Sequence, residues 1–127
     1  MRAEKLLWAT CYGRIDDVRS LLADGADVNG VFQSTTPLIS ASLDGHTSMV
    51  SVLLAAGAEV DLANEIRRTP LLVACQHGHT DTASVLLAAG ADPNRASSSG
   101  NLPLRYACHE GHLELVSPTG VRLEARL

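Results

Sequence analysis

The side chains best suited to chemistry in this chain are cysteines and histidines in two short segments. Cysteine and histidine are good zinc ligands, and a closed zinc site needs four ligands around one ion. The same residue types could form a nucleophilic dyad, in which histidine activates a cysteine thiolate. Either use requires the elements that carry these residues to bring them together. The candidates are Cys75, His77, His79, Cys108, His109 and His112.

The glycines show that both segments belong to a repeat. Gly45, Gly78 and Gly111 follow one another at intervals of 33 residues, whereas Gly13 precedes Gly45 by 32. A second column has the same spacing and the same one-residue slip, which places a deletion between Val28 and Thr36. The members of that second column are Gly25, Gly57 and Gly90.

The motifs that accompany this period identify a family. Thr-Pro-Leu, Gly-His and Leu-Leu-x-x-Gly-Ala occur in order within residues 69–92. A 33-residue period with these marks resembles the ankyrin repeat, and the resemblance covers residues 4–116. It implies an all-α solenoid of helix-turn-helix units joined by β-turn or hairpin-like loops. We expect an ankyrin domain over residues 1–116, with repeats at 4–35, 36–68 and 69–101 and a partial repeat at 102–116.

Each full repeat has recognisable helix signals. Thr36 and Thr69 can cap the first helix, and the proline that follows each fits its first turn. Ala9, Ala41 and Ala74 form a small-residue column that predicts a close seam between repeats, next to the column that holds Cys75. The second helices carry Leu-Leu pairs that predict an apolar stripe against the stack.

The pattern fails near the C-terminus. Pro118 and Gly120 stand where the third repeat continues its second helix, and an internal proline costs about 3 kcal/mol. We therefore predict that the last helix ends near Val116 and that residues 117–127 form a divergent tail, in which 121–127 either pack irregularly or are disordered. The abrupt loss also suggests a second hypothesis, that this chain is a truncated product of a longer ankyrin protein.

The repeat accounts for most of the residues that suggested chemistry. His79 and His112 occupy the Gly-His position, and Cys75 and Cys108 lie in the expected buried seam, where thiols are unreactive. We therefore expect no metal site, no cofactor and no enzyme activity. A self-standing metal or redox protein remains the less favoured alternative.

Composition narrows the class further. The formal net charge is −4 and the chain has no dense basic run, which argues against nucleic-acid binding. No apolar run is long enough for membrane insertion, and the N-terminus does not resemble a secretory signal. With three cysteines, an odd number, we expect free thiols and an intracellular location, cytoplasmic or nuclear. We also expect a monomer.

The family resemblance also implies where a partner would bind. In ankyrin proteins the loop tips and the outward side of the first helix line a concave groove, which predicts non-catalytic protein–protein interaction. An alternative is a regulatory or targeting fragment of a larger ankyrin-containing enzyme or adaptor. Carried over by repeat position, the partner-binding candidates are Tyr12, Phe32, Gln33, Asp44, Glu65, Ile66, Arg68, Gln76, His77, Ser99, Asn101, His109 and Glu110.

Two further pairs of positions carry specific expectations. Asn29 and Asn94 resemble the loop asparagine that asparaginyl hydroxylases modify in ankyrin domains, although a purely structural turn role is the simpler explanation. Trp8 shares a helix column with Tyr106, and we expect that column to pack in the core.

Overall fold

The chain folds as successive pairs of short antiparallel helices. The computed structural model describes residues 2–95, 98, 100, 115–116 and 122–123. Along the chain, each of the three described repeats contributes a first helix and then a second helix. The helices are α1 (Arg2–Cys11), α2 (Ile15–Ala23), α3 (Pro37–Asp44), α4 (Thr47–Ala55), α5 (Pro70–Gln76) and α6 (Thr80–Ala88).

The helices form two layers. The first layer contains α1, α3 and α5, in which α3 packs between the other two, and the second layer contains α2, α4 and α6. Each first helix also packs on the second helix of its own repeat. This arrangement confirms the predicted all-α repeat solenoid, in which every unit contacts only its neighbours.

The local signals that start the first helices act as predicted. The Thr36 hydroxyl accepts a hydrogen bond from the Ile39 amide at 3.2 Å, and Thr69 accepts one from the Leu72 amide at 3.1 Å. A proline follows each threonine at the first helical position, where its missing N–H leaves no bond unmade. These caps fix the residue at which each hairpin loop ends and the first helix of the next repeat begins.

The core follows the small-residue seam and the leucine stripe. Ala9, Ala41 and Ala74 are all buried, and so are Leu53 and Leu86 of the second helices. Because alanine has a short side chain, neighbouring first helices approach closely and the larger aliphatic residues fill the space between layers. The seam predicted from the alanine column is confirmed for the three described repeats.

The one-residue deletion lies in a hairpin turn. Between repeats two and three, the Arg67 amide donates to Asn64 O at 3.0 Å, and Arg67 is left-handed with φ 60°. Between repeats one and two, Phe32 and Thr35 exchange two backbone hydrogen bonds across only two residues. Those two, Gln33 and Ser34, both have positive φ, as a tight two-residue hairpin turn requires. The loop between repeats one and two, which is one residue shorter, therefore still forms a hairpin but uses a tighter turn.

The predicted helix through Val116 is wrong, and so is the irregular structure predicted for all of 121–127. Leu115–Val116 forms a short strand, β1, which pairs antiparallel with Arg122–Leu123, β2, and β1 lies beside α6. The intervening residues 117–121 include Pro118 and Gly120, which favour turns and oppose helix. The rest of the predicted fourth repeat lies outside the described residues.

Gly45 provides a test of the packing between repeats. Its φ is +71°, and a Cβ added there would lie 2.6 Å from Nδ1 of His79, whereas one at Gly57 (φ +93°) would meet nothing within 4 Å. Both alanine substitutions incur the left-handed penalty of about 1–2 kcal/mol. Gly45→Ala must also displace the His79 ring, whose hydrogen bond contributes about 1 kcal/mol. We expect urea unfolding to show a larger loss of stability for Gly45→Ala than for Gly57→Ala, and equal losses would contradict this packing.

Candidate functional site

The two described cysteines differ in environment. Cys75 is buried in the seam, and burial raises the pKa of its thiol from 9.0 to about 12. Cys11 is exposed at the end of α1, with its Sγ 3.0 Å from the Ser40 hydroxyl of the next repeat. Cys75 therefore stays a neutral, unreactive thiol at ordinary pH.

The Gly-His histidines connect neighbouring repeats. His79 Nε2 lies 3.0 Å from the Leu43 carbonyl oxygen, which can only accept, so this nitrogen carries the proton. One repeat earlier, the His46 ring lies against Gly13, as the His79 ring lies against Gly45, but its Nε2 lies 3.9 Å from an Asp44 carboxylate oxygen of its own repeat. The described part of the chain contains no group of three His, Cys, Asp or Glu side chains that could hold a metal ion. Cys108, His109 and His112 lie outside it.

Three large apolar side chains are exposed at the ends of the first helices and at the hairpin tips, where the groove is expected. Tyr12 is 66% exposed, Ile66 52% and Leu43 39%. Tyr12 directly follows α1 and Leu43 lies in the last turn of α3, whereas Ile66 lies at the tip of the second hairpin. Exposed aromatic and large aliphatic side chains are the usual anchors of a protein interface.

The polar groove candidates divide by exposure. Gln33, Asp44, Glu65 and His77 are exposed. Arg68 and Gln76 are half-buried, and Arg68 Nη2 and Gln76 Oε1 are shielded from solvent with no hydrogen-bond partner among the described residues. The candidates that lie outside the described residues are Ser99, Asn101, His109 and Glu110.

The second hairpin tip is held in a defined shape. The Asn64 side-chain oxygen accepts hydrogen bonds from the Ile66 and Arg68 amides at 3.1 and 3.0 Å. The Ile66 carbonyl in turn accepts one from the Ser98 amide of the next loop at 2.9 Å. Adjacent tips are therefore joined through their backbones, which fixes the exposed Ile66 side chain relative to its neighbours.

One expectation about the aromatic residues needs correction. Trp8 is not in the core, since 53% of it is exposed. Its column neighbours Ser40 and Val73, which each have a repeat before them, are both buried. Phe32 opens the first hairpin turn as the bridge partner of Thr35, and its side chain is half-buried, so its part in partner binding stays a prediction. Tyr106 lies outside the described residues.

Asn29 has a structural role between repeats. Its side-chain oxygen accepts a hydrogen bond from the Glu59 amide at 2.8 Å, thirty residues further along. Asp61, at the same position of the second repeat, accepts one from the Asp92 amide at 3.0 Å. The turn role therefore accounts for Asn29, and hydroxylation of Asn29 or Asn94 stays a prediction.

Together, the capped helix pairs, the small-residue seam and the paired hairpin tips define a helical repeat protein of the kind that generally serves in protein interactions. The family model for ankyrin repeats in three copies matches residues 6–97 and 41–117. The chain belongs to the ankyrin repeat family.

The chain is similar to subunits of GA-binding protein. A 65-residue segment is 40% identical to GA-binding protein subunit beta-1 of Bos taurus and covers 51% of this chain and 17% of that protein. The Homo sapiens beta-1 subunit is also 40% identical over 65 residues, with 51% and 16% covered, and the Mus musculus beta-2 subunit is 38% identical with the same coverage. The matched segment thus spans about a sixth of these relatives. Among the described residues, no helix has the length and apolar character needed to cross a membrane.

The two thiols predict different reactivity. With iodoacetamide at about pH 8, Cys11 should be alkylated in the native protein and Cys75 should not, because only the thiolate reacts. In denaturant both should react, since unfolding removes the burial that raises the Cys75 pKa to about 12. Peptide mass spectrometry separates the two sites. Equal alkylation of both in the native protein would show that the seam is open.

The inter-repeat bond of Asn29 predicts a graded loss of stability. Asn29→Ala removes the acceptor of the Glu59 amide and should lower the free energy of unfolding by about 1 kcal/mol. Asn29→Asp should lose less, because Asp61 already makes the equivalent bond in the next repeat. Denaturant unfolding of both variants measures the difference, and an alanine variant as stable as the parent would rule out this role.

Proposed function

We propose that this chain is a non-catalytic interaction module that binds a protein partner across the groove formed by its first helices and hairpin tips. The observation that carries the proposal is the exposure of Tyr12, Leu43 and Ile66. The backbone beneath two of them is hydrogen-bonded to the next repeat or loop, since the Leu43 carbonyl accepts from His79 and the Ile66 carbonyl accepts from the Ser98 amide. Exposed anchors on a rigid base favour binding to another protein surface over catalysis.

The groove would bind with little rearrangement. Its helix ends are tied by the contact between Cys11 and Ser40 and by the hydrogen bond from His79 to Leu43. A preformed surface reduces the ordering cost of association, so a larger share of the contact energy appears as affinity. The polar residues around the anchors, including Asp44 and His77, would then set specificity.

Charge supports a protein partner rather than a nucleic acid. The formal net charge of −4 leaves no strong positive field to attract phosphates. The candidate groove carries two exposed acidic side chains, Asp44 and Glu65, and one half-buried basic side chain, Arg68. A partner segment with apolar residues flanked by both charge signs would match this surface. Free Cys11 and Cys75 support an intracellular setting for that interaction.

A second candidate is that the chain works as the regulatory or targeting part of a larger ankyrin-containing protein. Its matched segment covers only 16–17% of the GA-binding protein beta subunits, whose names describe them as subunits of an assembly. In this case the groove would serve the same recognition, and further domains would supply the activity. Both candidates use the same residues for binding.

Affinity capture from cell lysate tests the groove. A variant with Tyr12→Ser, Leu43→Ser and Ile66→Ser removes the three exposed anchors without touching the seam. Ser51→Arg serves as the control, since Ser51 is exposed on the opposite layer in α4. We expect the triple variant to lose the proteins captured by the parent chain, by about tenfold or more, because three anchors are removed.

Two measurements show whether a loss of binding is specific to the groove: the folding of each variant and the binding of the control variant. Far-ultraviolet circular dichroism should be the same for all three proteins, and Ser51→Arg should capture the same partners as the parent chain. If the triple variant retained those partners while Ser51→Arg lost them, the groove assignment would be wrong and the second layer would be the binding surface.

A further inference from the structure

Of the four asparagines in the chain, Asn29 is the one that a glycine follows. A backbone nitrogen attacks the side-chain amide of a preceding asparagine most readily when it belongs to glycine, which has no side chain to obstruct the approach. The turn itself does not require glycine here, because the φ of Gly30 is not positive and the later repeats have Leu62 and Arg95 at this position. Repeat packing therefore leaves the Asn29-Gly30 pair unexplained.

The folded chain holds both reacting groups apart from one another. The Gly30 amide, which would supply the attacking nitrogen, donates to the Asp27 carbonyl oxygen at 3.0 Å. The Asn29 side-chain oxygen accepts from the Glu59 amide of the second repeat at 2.8 Å. The Asn29 amide donates to an Asp27 carboxylate oxygen at 2.9 Å. An attack on the side chain therefore requires these hydrogen bonds to break, so the loop must first leave the second repeat.

The position of the loop favours such an opening. Asn29 and Gly30 are half-buried, Asp27 is exposed, and Val31 is 64% exposed. Local opening of a surface loop costs much less free energy than unfolding of the whole chain. Water and hydroxide therefore reach this segment whenever its few hydrogen bonds break.

We propose that Asn29 is a site of non-enzymatic deamidation, which proceeds when its loop opens from the second repeat. The Gly30 nitrogen loses its proton to hydroxide from the solvent and forms a bond to Asn29 Cγ. The bond from Cγ to the side-chain nitrogen breaks, ammonia leaves, and a cyclic succinimide remains. Water then adds to one of the succinimide carbonyls. The product is aspartate, or isoaspartate in which the main chain runs through the side-chain carbons.

The two products have different effects on the contact between repeats. Aspartate keeps an acceptor for the Glu59 amide, just as Asp61 at the same position of the second repeat accepts from the Asp92 amide at 3.0 Å. Isoaspartate turns the former side-chain carbonyl into a peptide carbonyl and adds one carbon to the main chain ahead of the Phe32 bridge. The isoaspartate form should therefore lose the contact of this loop with the second repeat.

Mass spectrometry of peptides from the full chain, after incubation at mildly alkaline pH, tests the reaction. Asn29 should gain the mass of the change from amide to acid. In the native protein the rate should be roughly tenfold or more below that in guanidinium chloride, because two hydrogen bonds must break before attack. Asn94 lies at the same position of the third repeat and precedes Arg95, so it should stay unmodified over the same time.

Three outcomes of that experiment would overturn the proposal. The first is an Asn29 that stays intact in the native protein while it reacts in denaturant, since the loop would then not open. The second is an equal rate in native and denatured protein, since the repeat contact would then give no protection. The third is equal modification of Asn94, since the following glycine would then have no part in the reaction.

Three variants separate the chemistry from the opening of the loop. Gly30→Ala obstructs the attacking nitrogen and should slow the reaction in native and denatured protein alike. Asp27→Ala removes the acceptor of the Asn29 amide and should speed only the native reaction, by about fivefold. The matched control is Asp92→Ala, which removes the corresponding bond to the Asn94 amide at 2.9 Å and should leave the Asn29 rate unchanged. Equal acceleration by both aspartate variants would assign the rate to general stability and contradict local opening.

Hydrogen exchange distinguishes the effects of the two products. The modified forms are separated by chromatography, with Asn29→Asp as the standard for the aspartate form. The Glu59 amide should stay protected from exchange in the aspartate form and lose its protection in the isoaspartate form. Equal protection in both forms would contradict the assigned loss of contact between the first and second repeats.

Discussion

The structure depends on the fact that no repeat can bury its own apolar surface. Each pair of helices is only two turns or so long and covers one side of its neighbour, so burial is complete only where another repeat follows. The seam at Ala9, Ala41 and Ala74 makes this possible, because short side chains let first helices approach closely. Stability, the order of the layers and the positions of the loops all follow from that contact.

Polar bonds give the stack its register. The Asn29 side chain accepts a hydrogen bond from the Glu59 amide and joins the first repeat to the second, and the His79 ring donates to the Leu43 carbonyl and joins the second repeat to the third. Apolar burial has no direction and would tolerate sliding between repeats. Hydrogen bonds have a fixed geometry, and they therefore hold the groove residues at fixed spacing. A binding surface of short segments depends on that spacing.

The period of the sequence was enough to predict the described repeats, because caps, seam residues and turn glycines are local signals that tertiary contacts do not override. Thr36 and Cys75 lie where their columns indicated. The prediction failed for Trp8, whose exposure depends on a neighbour and not on its own residue type. It also failed at Leu115–Val116, where strand pairing with Arg122–Leu123 requires a long-range contact that no repeat column contains.

The candidate groove and the outer side of the first repeat differ in how the stack constrains them. Tyr12 and Ile66 are exposed at positions that the stack leaves free, so their identity can change without loss of packing. Leu21 instead is half-buried in a column whose other described members, Leu53 and Leu86, are completely buried. A terminal repeat gains solubility from polar residues on its outer side, as Asp17 illustrates at the position where the second repeat has the buried Met49. Trp8 does the opposite, because it enlarges the exposed apolar area of the first repeat, so polar capping accounts for Asp17 and not for Trp8.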